Sequence, residues 1–218
     1  MVLIVIPIFF AHKTSEPQIT YKEPYIKLYL SQENKIIKLR LEDYIIGTVA
    51  AEMPASFEME ALKAQAICAR TYTLRKLLDN KKYPGGANLS DDINTCQAYI
   101  SKGEFYRRHP GYKDLYKKVQ EAVGETRGEV MIYHNEPIDA LYHSTCGGRT
   151  ESAINVWGTD VPYLRSVKCP YCKESHYYES VQVFSTQDFA KSLGINDNGR
   201  PQVQISENTP TGRVKKIN

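Results

Sequence analysis

Two groups of residues in this chain have types and spacings that could do chemistry. The first is a single carboxylate. Glu52 lies in the run Val-Ala-Ala-Glu-Met-Pro (49–54) and has no charged neighbour in it. At a helix C-terminus it would face the negative end of the backbone dipole, and apolar neighbours would desolvate it. Both effects disfavour the ionised form. A carboxyl kept protonated near neutral pH is what a general acid requires. The plain alternative is a solvated glutamate at a helix end. The second group is His143-Ser-Thr-Cys146-Gly-Gly followed by Cys169-Pro-Tyr-Cys172. H-x-x-C plus C-x-x-C offers four soft ligands in two close pairs, a set that can grip a tetrahedral zinc ion. Cys146, Cys169, Cys172 and His143 would make a closed, structural shell. Gly147 and Gly148 allow a sharp turn beside Cys146. The alternatives are a disulfide in an oxidising compartment or inert thiols.

These residues need elements to hold them. Leu41, Tyr44, Ile45, Thr48 and Val49 share one face of a 3.6-residue period, which predicts a helix. Pro54 disfavours helical geometry at Met53, so this helix should stop near Glu52. Ser56 is the expected N-cap of a second helix, with Glu58 and Glu60 in its first turn and an apolar stripe through Leu62, Ala66, Ala69 and Leu77. Tyr25–Leu30 and Ile36–Leu41 alternate around a polar turn and predict a hairpin feeding the first helix. Residues 79–101 read as loop, 112–123 as a helix, and 125–133 as a strand turning at His134–Pro137. Ser180–Phe184 reads as a strand, Ser185 as a helix cap, 196–200 as a polar loop, and 202–206 and 211–217 as two strands. Hairpins and helices without a βαβ rhythm indicate an α+β fold, with antiparallel sheet packed against a few helices.

The run Glu42–Leu74 (EDYIIGTVAAEMPASFEMEALKAQAICARTYTL) resembles the signature of the SpoIID family, the stage II sporulation protein D proteins. Further matches follow in order at 91–99, 122–133, 142–152, 156–167 and 211–217, so the resemblance covers most of the chain from about Tyr25 onward. It implies a peptidoglycan lytic transglycosylase with a glycan-binding cleft, whose catalytic residue corresponds to Glu52. By the same resemblance, Gln65, Arg70, Gln97, His143, Ser144 and Tyr163 are candidate sugar contacts, although Arg70 and Gln65 read equally well as structural residues. His143 then has two competing roles. If it faces the sugar, His134, His176 or water would complete the metal shell. Trp157, the one tryptophan, reads as a stacking platform or a core residue.

The resemblance also implies glycan strands stripped of stem peptides as substrate, a cell-wall amidase and a membrane engulfment complex as partners, and an extracytoplasmic location in a sporulating cell, anchored by an N-terminal segment. Residues 1–22 are expected to be anchor remnant and linker, and 23–218 the SpoIID-type domain. The family pattern continues past Asn218 with a further strand and an arginine-containing segment, so the chain is expected either to be a fragment or to lack a piece near the cleft. Composition adds little. The chain has 218 residues, is 42% hydrophobic, and can bury a sizeable core. A net charge of +3 is too small to indicate a nucleic-acid partner. Two rival functions remain, a glycan-binding amidase enhancer and a hydrolytic muramidase. A zinc amidase fits less well, since H-E-x-x-H is absent and three thiolates leave no open catalytic position.

Overall fold

The computed structural model describes residues 23–194 and 203–218. The expected anchor remnant, the polar loop at 196–200 and the first residue of the strand expected at 202–206 therefore lie outside the described residues. The fold is α+β, in two compact units that divide between Leu141 and Tyr142.

The first unit opens with the predicted hairpin. Strands β1 (Tyr25–Leu30) and β2 (Lys35–Arg40) pair antiparallel from Tyr25↔Arg40 to Leu30↔Lys35. Alternation puts Ile26, Leu28 and Leu30 in the core and Tyr25 and Lys27 in water. The chain passes directly from β2 into helix α1 (Leu41–Glu52), whose predicted face is fully buried. Helix α2 (Met59–Leu78) follows. Ser56 does not cap it. The Pro54–Phe57 turn takes up Ser56, and the first helical bonds run to the Glu58 carbonyl. Leu62, Ala66 and Ala69 bury the predicted stripe.

Within the stretch expected to be loop, strand β3 (Leu89–Ser90) joins β1 in parallel, giving the order β2-β1-β3. Helix α3 (Lys102–Arg108) was not anticipated, although Ser101-x-x-Glu104 is a capping signature: the Ser101 side chain accepts the Glu104 N–H at 3.1 Å. Helix α4 (Lys113–Glu125) packs Tyr116, Val119, Ala122 and Val123 against α1 and α2. The strand expected at 125–133 shrinks to β4 (Ile132–Tyr133), paired with β5 (Glu136–Pro137) across a turn in which His134 and Asn135 have positive φ. Helix α4 runs on to Glu125, and a turn through Gly128 uses up the rest.

The second unit holds helices α5 (Ala153–Trp157) and α6 (Thr186–Ser192) and the hairpin of β6 (Ile205–Asn208) and β7 (Val214–Ile217). Ser185 caps α6 as expected, accepting the Asp188 N–H at 3.1 Å. Ser180–Phe184 forms no strand. It meets no partner strand among the described residues, and Val183 is left 92% exposed. Among the described residues no helix is long and apolar enough to cross a membrane.

Candidate active site

Glu52 ends α1 because Pro54 follows: Met53 turns to an extended conformation and its N–H makes the last bond, to the Val49 carbonyl. The side chain is exposed, not desolvated as its sequence neighbours suggested. A residue far along the chain braces it. The Ala98 N–H donates to Glu52 Oε1 at 2.7 Å, on a residue that stays exposed. A main-chain donor holds the carboxylate in one orientation without a competing charge.

The amide is in place because segment 97–100 lies against α1. The Ile100 N–H donates to the Gly47 carbonyl at 3.2 Å, and the Tyr99 ring stacks on Tyr44 with centroids 5.8 Å apart. This approach requires Gly47. A Cβ there would come within 2.7 Å of the Ile100 oxygen and closer still to the Tyr99 ring. Gln97 fixes the other side of the segment. It is only 3% exposed, and its Oε1 accepts the Thr73 hydroxyl at 3.3 Å. The Cys96 thiol bonds the Tyr83 hydroxyl at 3.0 Å. Half-buried Tyr72 lies beside this network. Burial, the Cys96 thiol and the charges of Glu52 and Asp139 push its phenol well above the usual tyrosine range. Gly47, Ala98 and Tyr72 were not foreseen as site residues. Gly47 had a visible signal, a glycine inside a strong helical period.

Two sugar-contact expectations change. Arg70 is a structural residue. It is 0% exposed, its guanidinium forks onto Glu42 at 2.9 and 2.8 Å, and it donates to the Glu129 and Val123 carbonyls at 3.1 and 3.3 Å. Four of its five N–H donors are taken up inside the fold, and the side chain has no exposed surface to offer a ligand. Gln65 is likewise buried on α2, with its Nε2 unpartnered.

In the second unit, His143 and Ser144 are exposed, Tyr163 is half-buried, and Trp157 is 61% exposed, which overturns the core reading of the tryptophan. The two cysteine pairs do meet. Backbone bonds Thr150 N–H to Val167 O and Cys169 N–H to Gly148 O, both 2.9 Å, zip residues 148–150 to 167–169. The sulfurs of Cys146, Cys169 and Cys172 all lie within 4.8 Å of one another, with Cys146–Cys172 at 3.4 Å and Cys169–Cys172 at 3.8 Å. Thiolates placed tetrahedrally at ~2.3 Å from zinc sit ~3.8 Å apart, so the three sulfurs fit one ion. The Cys146 N–H points at the Cys172 sulfur and lowers that thiol, whereas burial raises the thiol of Cys146. Among the described residues His143, expected as the fourth ligand, does not join the cluster, nor does His176; His134 belongs to the first unit.

An exposed, amide-braced carboxylate at a helix end, on an α+β unit, defines a scaffold suited to acid–base chemistry. A family model for SpoIID, stage II sporulation protein, matches residues 29–133, which take in the end of β1, all of β2, α1 to α4 and β4. The chain is 39% identical over 193 residues to Stage II sporulation protein D of Bacillus subtilis (strain 168), covering 87% of this chain and 56% of that protein. It is 37% identical over 205 residues to the Stage II sporulation protein D of Bacillus amyloliquefaciens, covering 93% and 60%. The Amidase enhancer of Bacillus subtilis (strain 168) is 35% identical over 122 residues, 56% of this chain and 14% of that protein. Residues 29–133 carry the SpoIID match, and the chain spans a little over half the length of the sporulation relatives it resembles.

Proposed function

We propose that this chain is a peptidoglycan lytic transglycosylase in which Glu52 is the single general acid and base. The observation that carries this reading is the Glu52 carboxylate itself, exposed, held at Oε1 by the Ala98 amide, and set inside the family-matched region. Glu52 delivers its proton to the oxygen of the MurNAc–GlcNAc β-1,4 bond, and an oxocarbenium-like centre develops at C1 of the muramic sugar. The ionised carboxylate then takes the proton of that sugar's C6 hydroxyl, whose oxygen closes on C1. The products are a free GlcNAc 4-hydroxyl and a 1,6-anhydro-MurNAc end, and no water is consumed. The fixed amide suits both halves, since one oxygen is held while Oε2 gives and then receives the proton.

Peptide-stripped glycan strands are the proposed substrate, with the accessible His143, Ser144 and Tyr163 as the proposed contacts, whereas buried Gln97 braces segment 97–100. A cell-wall amidase and a membrane engulfment complex are the proposed partners, at an extracytoplasmic surface. The three thiolates suit a structural zinc ion on Cys146, Cys169 and Cys172, which would brace its loops and supply no proton or nucleophile. A hydrolytic reading has one observation in its favour. Asp139 acts on the same tyrosine as Glu52, and a second carboxylate could activate water. Mass spectrometry of peptide-free strands treated with wild type and Glu52→Gln separates the cases. Anhydro ends from wild type alone support the proposal, whereas reducing ends would make the protein a hydrolase. Binding without cutting by both would leave a glycan-binding module, in keeping with the Amidase enhancer relative.

A further inference from the structure

The hairpin of β6 and β7 has no core of its own, since every residue of both strands is exposed. Only Thr209 and Thr211, in its connecting loop, are partly buried, and both sit on one carboxylate. Glu151, with a side chain 9% exposed, accepts the Thr209 hydroxyl at 2.8 Å and the Thr211 hydroxyl at Oε2, and Asn155 Nδ2 and the Ser152 N–H at Oε1, 2.8 and 2.9 Å away. Next to these threonines stands Arg213. Its Nη2 donates to the carbonyls of both Cys146 and Arg149, each at 2.8 Å. Those carbonyls bracket Gly147 and Gly148, whose φ values are 67° and 97°. A diglycine turn is the most pliant link a chain can contain, and here one guanidinium ties its two ends together.

We propose that Arg213, set in place by Glu151, Thr209 and Thr211, is a positioning residue for the cysteine cluster. It freezes the 146–149 turn so that the Cys146 thiolate meets Cys169 and Cys172 around a zinc ion. The hairpin thereby works as a latch on the metal site. Both bonds leave the one nitrogen Nη2, so a lysine ammonium could reach the same carbonyls, but on its flexible stem it orders the turn less well. This inference rests on the reading of the three cysteines as a zinc site.

The test is zinc affinity of the whole chain, by competition with a chromophoric chelator, together with the thiolate charge-transfer spectrum of the cobalt-loaded protein. Wild type should bind one zinc with a three-thiolate cobalt spectrum, and Cys172→Ser should lose both. Arg213→Ala should weaken zinc binding about 10- to 100-fold, the usual cost of removing an outer partner of a metal ligand, with an unchanged far-UV circular dichroism spectrum. Arg213→Lys should recover part of the loss, and Glu151→Gln should fall between wild type and Arg213→Ala. Wild type that binds no zinc would overturn the cysteine reading and the latch with it. Wild type that binds zinc while Arg213→Ala binds equally well would overturn the latch alone. Should Arg213→Ala fail to fold, Thr211→Val, which weakens the hairpin's hold without touching the guanidinium, decides the matter by the same affinity measurement.

Discussion

Replacing Arg70 with methionine should destabilise the first unit by ~3 kcal/mol. The guanidinium has no exposure to water and makes four hydrogen bonds, two to the Glu42 carboxylate and one each to the Val123 and Glu129 carbonyls. Removing one member of a buried ion pair costs ~3–5 kcal/mol, because the other charge stays buried and unpaired. The lower end applies here. Glu42 lines an open hollow of about 250 Å³ shared with Glu23, Arg40 and Arg127, so water can approach the orphaned carboxylate. With a urea slope of ~1–3 kcal/mol/M, the midpoint followed by far-UV circular dichroism should fall by ~1–3 M. The double variant Glu42→Leu/Arg70→Met, which removes both charges, should be markedly more stable than the single one. A single variant within ~0.5 kcal/mol of wild type would refute the structural assignment, since ordinary surface changes fall in that range. A variant of normal stability with a raised KM for glycan would return Arg70 to the substrate.

Gly47→Ala should displace segment 97–100, cost ~1–3 kcal/mol through overpacking, and lower glycan cleavage beyond its effect on stability, because the Ala98 amide leaves Glu52. The crystal structure of the variant would show the lost bond, and an unmoved Ala98 would count against the brace. The latch should also be acid-labile. Bonds from Asn155 first, then from Thr211, Ser152 and Thr209, pull the Glu151 carboxyl down to about 2 from an ordinary 4.5. A depressed carboxylate stabilises docking fully above the ordinary value and loses that contribution as pH falls toward the folded one. Hydrogen exchange at Val214–Ile217 should therefore be slow at pH 5 and accelerate, beyond the intrinsic pH effect, between pH 4.5 and 2; an unchanged protection factor would sink the assignment.

The first hairpin, α1 and α4 were legible because their periods are strong and their boundaries carry proline or turn residues. Failures came where a local signal met no partner or a partner lay far away. Ser180–Phe184 alternates like a strand but has nothing to pair with among the described residues. Arg70 looked available because its counter-ion stands 28 positions upstream, and Glu52 looked apolar because its amide donor is 46 positions downstream. The capping pair Ser101 and Glu104 marks the start of α3 in the sequence itself. The cysteine spacing pointed to the right sulfurs, but spacing says nothing of where an exposed histidine will turn.

The parallel pairing of β1 with β3 orders events in time. Leu28 and Leu89 become partners only after the intervening chain has closed on itself, and a loop of that length carries an entropic cost of roughly 3–4 kcal/mol before any contact repays it. The hairpin, α1 and α2 are each built internally from local hydrogen bonds and can form early. Ala98 lies just past β3, so the donor that orients Glu52 is delivered by a segment anchored through this non-local pairing. A partly unfolded chain in which β3 has not joined β1 thus holds a glutamate free to swing. Under the proposed mechanism, cleavage of glycan would then report that β1 and β3 of the first unit have already paired.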